Sequence, residues 1–271
     1  MDLACRPAIL RHMDTSRYSP APDSAHQLIL ATDLDGTFLG GASAHRDRLY
    51  RWLEASEDAL LIFVTGRDPG FVAGLCESGA VPEPAYVIGD VGTTIAAFRR
   101  GRVEPISELE SHIRIGWEGM AERVRTRLSG VPGLWLQPAP FRHRLSYQYD
   151  SRFDRAALRV LDGLEVDILV SHGCFVDILP RGVSKGPSLW RLIAHLGLAP
   201  ERVLVAGDTL NDLSMFETGL HGAIVGGAEP ELLAATAHLP RAHRCRHAGA
   251  GGIIEAIHAH GLHPAPPEVP Q

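Results

Sequence analysis

Short apolar runs, each stopping at a small or polar residue, constrain this chain more than any other feature. Leu28-Ile29-Leu30-Ala31 gives way to Asp33. Leu60–Val64 ends at Thr65-Gly66-Arg67, Tyr86-Val87-Ile88 at Gly89-Asp90, and Val203–Ala206 at Gly207-Asp208; Ala223-Ile224-Val225 is a fifth run. Runs without polar alternation read as strands buried on both faces. Helical patterns lie between them. Ser43 is placed to cap a helix carrying Leu49, Trp52 and Leu53, and Leu189, Leu192, Ile193 and Leu196 form a stripe at i, i+3, i+4, i+7. Strands alternating with helices predict an α/β fold with right-handed crossovers and a mainly parallel sheet.

The stretch from 97 to 177 breaks this pattern. Ile113, Trp117, Met120, Val124 and Leu128 predict one amphipathic helix. From Phe141 to Tyr149 apolar or aromatic residues and His143 hold the odd positions, while Arg142, Arg144, Ser146 and Gln148 hold the even ones, so an antiparallel strand with one polar face is expected. A short helix is predicted from Asp150 or Ser151 through Leu158 and Leu161, then strands over 166–170 and 174–179. These elements read as an α+β unit inserted into the α/β one. The expected organisation is a loose tail over 1–26, a core of 27–96 and 178–262, an insertion over 97–177, and a loose Pro-rich tail over 263–271.

With 271 residues the chain can bury a large core without disulfides or structural metal. Its net charge of −6 gives no reason to expect nucleic-acid or anionic-membrane partners. Cys5, Cys76, Cys174 and Cys245 form no CxxC pair, and no apolar run approaches the roughly 18 residues of a membrane span, so a cytoplasmic protein is expected. His243, Cys245 and His247 alternate with arginines and read as a surface segment. Nothing in the pattern speaks to oligomeric state.

Four polar clusters sit at strand ends or helix starts, where open α/β sheets bind ligands. Asp33-Leu34-Asp35-Gly36-Thr37 offers two carboxylates, one to attack an electrophile and one to handle a proton; by itself it also reads as an Asp-Gly turn. Thr65-Gly66-Arg67 offers a hydroxyl and backbone N–H groups to a phosphate oxygen, or simply an N-cap. Lys185 stands at a helix start, a poor place for a cation unless an anion lies beside it; the plain alternative is a solvated lysine. In Gly207-Asp208-Thr209-Leu210-Asn211-Asp212 the carboxylates suit a hard cation such as Mg²⁺, or Asp212 merely opens a helix. Taken together, the four point to phosphoryl transfer, which needs positioning and charge stabilisation above all.

In these four motifs the sequence resembles the haloacid dehalogenase superfamily of phosphotransferases, over residues 27 to 262. The resemblance implies a Rossmann-like core and Mg²⁺ dependence. The α+β insertion between Thr65 and Lys185 is similar to the cap of the branch holding Cof-type sugar phosphatases and sucrose-phosphate phosphatases. It implies Asp33 as nucleophile and Asp35 as general acid/base. Thr65, Gly66 and Lys185 become phosphate binders, and Asn211 orients the phosphoryl group. Asp33, the Asp35 carbonyl and Asp208 become metal ligands, with Asp212 close by. Ile88–Ile95 is similar to the VGT-containing stretch of sucrose-phosphate phosphatases, and Val176–Gly182 resembles the last cap strand with its return to the core. The expected substrate is a phosphorylated disaccharide or glycoside, a sucrose-6-phosphate-like sugar phosphate. The polar face of Arg142, Arg144, Ser146 and Gln148 is expected to help select it, unless it is an ordinary solvated sheet face. The alternatives are a phosphomutase of the same superfamily and a catalytically idle sugar-phosphate-binding domain assisting a glycosyltransferase.

Overall fold

The computed structural model describes residues 26–139, 141–171 and 173–269. Apart from His26, the tail expected over 1–26 lies outside them. The five apolar runs form parallel strands of one sheet, β1 (Leu28–Thr32), β2 (Ala59–Val64), β3 (Tyr86–Gly89), β10 (Val203–Gly207) and β11 (His221–Ile224), and β12 (Ala242–Arg244), within the segment read as surface, joins them as a sixth. Each residue of β1 is buried, because helices cover both faces of the sheet. On one face lie α1 (Ser43–Ala55), α2 (Pro69–Glu77) and α8 (Ala250–His260); on the other, α5 (Lys185–Leu196), α6 (Leu213–Phe216) and α7 (Pro230–Ala235).

The strand order is β12-β11-β10-β1-β2-β3, continued past β3 by β4 (Thr94–Arg99) and β5 (Arg102–Pro105). From β1 the chain builds outward through β2 and β3, then returns on the other side through β10, β11 and β12. The order reverses between β1 and β10, and a crevice opens at their carboxyl ends. Thr32 pairs with Ala206 there, which sets Asp33 beside the start of the β10 loop.

The large sheet does not stop near residue 97, where the sequence pattern starts the insertion. It continues antiparallel through β4 (Thr94–Arg99) and β5 (Arg102–Pro105), a hairpin turned at Arg100-Gly101. The helix expected over Ile113–Leu128 is two helices, α3 (Ser107–Trp117) and α4 (Met120–Leu128), broken at Gly119 with φ +66. Its stripe serves two cores, Ile113 packing under the large sheet and Trp117, Met120, Val124 and Leu128 under a second, smaller one.

That second sheet is antiparallel, ordered β6-β7-β9-β8, from β6 (Leu134–Leu136), β7 (Leu145–Tyr149), β8 (Val166–Ser171) and β9 (Phe175–Pro180). The expected strand over 141–149 pairs only from Leu145, because Phe141–Arg144 turns toward the large sheet, where Arg142 and Arg144 find carboxylates. The helix expected from 150 is a 3₁₀ turn, Arg155–Leu161, capped by the Asp154 side chain. The Pro-rich end is not loose over its described part. Its backbone carbonyls accept from Trp52 (to Ala265), His258 (to Pro267) and Arg48 (to Glu268 and Val269), and the His263 ring meets Asp58. Prolines lack N–H groups but leave carbonyls to accept such bonds.

Candidate active site

Asp33 leaves β1 with its N–H bonded to Ala206 O (2.9 Å), one step beyond the ladder, so its side chain enters the crevice. The following turn is fixed by backbone bonds from Phe38 to Asp33 and from Leu39 to Leu34. Gly36 lies inside that turn at φ +79, and a Cβ there would sit 2.2 Å from Asp208 Oδ2. The glycine lets the Asp33 turn and the Asp208 loop touch. Thr37 Oγ1 closes the contact, donating to Asp208 Oδ1 at 2.7 Å.

Lys185 is fully buried at the start of α5. Its Nζ donates to Asp33 Oδ1 (2.6 Å), Asp212 Oδ1 (2.6 Å) and Asn211 Oδ1 (2.8 Å). The reading of Lys185 as a solvated surface cation fails. Burial by itself would depress its pKa, but the Asp212 and Asp33 carboxylates outweigh burial and hold it above the ordinary value. Asp212 Oδ2 in turn accepts from the N–H groups of Asp208 (2.9 Å) and Thr209 (3.0 Å), so this carboxylate ties the β10 loop to Lys185. Burial pushes Asp33 up to about 8, the Asp212 and Asp208 charges adding to the effect and Lys185 opposing it.

This charge balance tests whether a metal fits. Oxygens of Asp33, Asp208 and Asp212 lie within 4.8 Å of one another. Three carboxylates crowd one ammonium, their repulsion adds to the burial that pushes Asp33 up, and the donors are all oxygens. A hard divalent cation such as Mg²⁺ answers both features.

Asp35 stands at the rim, gripped by Arg67 through two parallel bonds, Nε to Oδ2 (2.8 Å) and Nη2 to Oδ1 (2.9 Å). Thr65 is buried, and its Oγ1 accepts from Arg67 N at 3.1 Å, shaping the turn that presents Gly66 to the cleft. The cleft itself measures about 300 Å³. Asp33, Asp35, Gly66 and Asn211 form its core side, and Arg144, Ser146 and Asp177 face them from the smaller sheet.

The polar face of β7 divides. Arg144 and Ser146 line the cleft, whereas Arg142 and Gln148 do not. Arg142 and Arg144 both precede Leu145, the first paired residue, beyond the reach of parity; Arg142 turns away to pair with Glu110 (2.8 Å) and Thr94 (3.2 Å). Gln148 accepts from the Trp135 indole at 3.2 Å. Arg144 is buried and bridges the two sheets, bonding Asp177 (2.8 Å), Asp90 (3.2 Å) and the Gly66 carbonyl (2.9 Å). Ser146 joins this network through Arg144 and Asp177. Burial raises the Asp90 pKa, and the Arg144 charge works against it.

Sequence reasoning named no role for Arg67, Asp90 or Asp177. The signal for Asp177 was a carboxylate inside the apolar run Val176–Leu179. Asp90 and Val91 hold φ of +52 and +58, and a β-branched residue there is strained; Val91 lines the cleft.

Comparison with known proteins agrees with this geometry. The model of the family described as sucrose-6F-phosphate phosphohydrolase matches residues 26–261. The chain belongs to that family. It is thereby a member of a haloacid dehalogenase-type family of phosphoric monoester hydrolases, and its large sheet is the Rossmann-like core of that fold. The X-ray structure of the sucrose-phosphatase of Synechocystis sp. PCC6803, in complex with sucrose and phosphate, superposes with a TM-score of 0.77 at 28% identity, covering 87% of this chain and 98% of that one. A mannosylfructose-phosphate phosphatase of Agrobacterium fabrum strain C58 is 30% identical over 248 residues, 87% of this chain and 98% of that protein. A glucosylglycerol-phosphate synthase of Pseudomonas anguilliseptica is 38% identical over 232 residues; these are 85% of this chain but only 30% of the synthase. Among the described residues, no helix is long and apolar enough to cross a membrane.

Proposed function

We propose that this protein is a Mg²⁺-dependent phosphatase that hydrolyses the phosphate ester of a disaccharide or glycoside through an aspartyl-phosphate on Asp33. The observation that carries the reading is the buried Lys185 ammonium bonded to Asp33, Asn211 and Asp212, with Asp208 within metal-sharing distance, at the switch point of the sheet. The cleft places polar side chains of the smaller sheet opposite this cluster, so we take that sheet with its helices as a cap over the site. Similar proteins are named for sucrose phosphate and mannosylfructose phosphate, which supports a glycosyl substrate. The thiols of Cys76, Cys174 and Cys245 are all free, which supports a cytoplasmic setting.

In this mechanism Asp33 and Asp208, with the Asp35 carbonyl and Asp212 beside them, would hold Mg²⁺, which when bound supplies positive charge to the transferring phosphoryl oxygens. Lys185 fixes the nucleophile and adds its own charge to the phosphoryl group. Gly66, Thr65 and Asn211 orient that group. Asp33 attacks phosphorus in line, the ester P–O bond breaks, and Asp35 gives its proton to the leaving sugar oxygen. Asp35 then takes a proton from water, whose oxygen attacks the phosphorus of the acyl phosphate. Inorganic phosphate leaves and the Asp33 carboxylate returns.

The match to part of a synthase favours keeping one second reading, a catalytically idle sugar-phosphate-binding domain. A binder has no use for a second acid, and Asp35 opposes that reading. The test measures phosphate release from sucrose 6F-phosphate and hexose phosphates. Asp33→Asn is expected to lower turnover by at least about 10³-fold. A fully active Asp33→Asn protein ends the covalent mechanism, and an inactive wild type with intact sugar-phosphate binding favours the idle domain. Independently of turnover, Mg²⁺ is expected to raise the melting temperature, and Asp208→Asn to remove the rise.

A further inference from the structure

Two histidines meet at the end of the large sheet opposite to the phosphoryl cleft. His221 is the first residue of β11, whose parallel pairing with β10 sets its amino end away from the cleft. α8 runs back across the sheet and ends at His260, where Gly261 takes the left-handed conformation at φ +62 and stops the helix. The two rings come together there, their centres 4.7 Å apart and their Nδ1 atoms 3.2 Å apart. His243, on the neighbouring β12, stands edge-on to His260 with ring centres 5.9 Å apart. Its Nε2 is turned to Glu255 Oε1 (3.4 Å), and His247 Nδ1 meets Oε2 of the same carboxylate (2.9 Å). The segment of alternating histidines and arginines is therefore held by α8, and His221 with His260 forms a separate pair.

Hydrogen bonding decides what each nitrogen of the pair can do. Burial holds both rings below the ordinary imidazole pKa, so each is neutral at pH 7. His260 Nε2 lies 3.2 Å from the Gly222 carbonyl, which can only accept. Nε2 therefore carries the one proton of His260, and its Nδ1 aims a lone pair at a second imidazole nitrogen. Either a proton or a metal ion has to stand between the two. A backbone carbonyl on the far nitrogen is also the usual outer partner of a metal-bound imidazole, since it fixes the ring and keeps the lone pair on target. The separation suits a metal. Two nitrogens at about 2.0–2.1 Å from one ion stand about 2.9 Å apart at a right angle and about 3.3 Å apart at the tetrahedral angle. The 3.2 Å between the Nδ1 atoms falls inside that range.

We propose that His221 and His260 chelate one borderline transition-metal ion, of the class of Zn²⁺, Ni²⁺ and Cu²⁺, through their Nδ1 atoms, with water completing its shell. Imidazole donors select these ions, whereas Mg²⁺ demands oxygens, so the pair and the Asp33–Asp208–Asp212 cluster take different metals. Admitting the ion requires only that the proton of His221 move from Nδ1 to Nε2. The ion then ties the last turn of α8 to the start of β11. The inference goes beyond the phosphatase reading and does not depend on it. Its rival is a plain N–H···N hydrogen bond from His221 to His260.

The test uses the full chain without a histidine tag, stripped with EDTA and kept in excess Mg²⁺. Calorimetric titration with Zn²⁺ is expected to show a site, and Zn²⁺ to raise the melting temperature. His221→Gln and His260→Gln should each weaken that site at least about tenfold and remove the rise, while His243→Gln leaves both intact. The electron paramagnetic resonance spectrum of Cu²⁺ on the wild type should show coupling to two nitrogens, and to fewer in either variant of the pair. Circular dichroism reports folding of each variant. No Zn²⁺ binding by the wild type, binding unchanged in both variants of the pair, or an equal loss in His243→Gln overturns the chelate. None of these outcomes alters the phosphatase reading, which stands or falls on phosphate release.

Discussion

Arg67 grips Asp35 with both branches of its guanidinium, yet each side chain is close to half exposed. A pair so placed contributes roughly 0–1 kcal/mol to stability, so its importance lies in orientation. In the proposed mechanism the fork fixes the plane of the carboxylate that meets the leaving oxygen. Leaving groups differ in their need for that proton. A sugar alkoxide cannot depart without it, whereas p-nitrophenolate departs readily. Arg67→Ala should therefore lower kcat on a sugar phosphate by about 10- to 100-fold, and on p-nitrophenyl phosphate by several-fold less. Equal losses on the two substrates would contradict the positioning role. Lys185 shows a different residue-scale balance. Its burial is tolerable only because three oxygens meet one ammonium, and that convergence was legible in the sequence only as four separate motifs.

At the scale of elements, periodicity identified what each strand and helix buries but not always where each one ends. The parallel strands were legible because burial on both faces demands unbroken apolar runs. The helix break at Gly119 was not, since the apolar stripe continues across it while its partner changes from one core to the other. A Cβ at Gly119 would meet open space, so only the backbone conformation at φ +66 resists substitution. Gly119→Ala is expected to lower stability by about 1 kcal/mol and the melting temperature by about 2–4 °C, with catalytic constants preserved. Thermal denaturation alongside kinetics checks this. A loss of activity at unchanged stability would show that the α3–α4 corner takes part in catalysis. Gly36 is the contrast: the same change there drives a methyl into the Asp208 carboxylate.

At the scale of the whole molecule, Arg144 links the two sheets. From the residue just before β7 it reaches Asp177 on β9 of the smaller sheet, Asp90 after β3 and the Gly66 carbonyl after β2. Both carboxylates are buried, so removing the guanidinium leaves two charges in low dielectric. Arg144→Ala should cost about 3–5 kcal/mol, measured by urea denaturation, and Arg144→Lys should recover part of it. A change below about 1 kcal/mol would show that the bridge opens freely in solution. The same side chain lines the cleft, so the link between sheets and the walls of the site are one network. Sequence parity found Arg144 and Ser146 but assigned Arg142 and Gln148 to the same wall. The chain turns before β7, and Glu110 and Trp135 supply those two with other partners.

The amino-acid sequence by itself determined the α/β alternation, the inserted antiparallel unit and the chemical types at four strand ends, because burial periodicity and strand-end chemistry are local properties. The tertiary structure decided what those types do together. Only the pairing of β1 with β10 brings Asp33 to Asp208, residues far apart in the chain, and only the approach of α5 delivers Lys185 between them. Which polar residues of the smaller sheet reach the cleft was settled by their tertiary partners, Asp90 and the Gly66 carbonyl drawing Arg144 into it while Glu110 and the Trp135 indole hold Arg142 and Gln148 elsewhere.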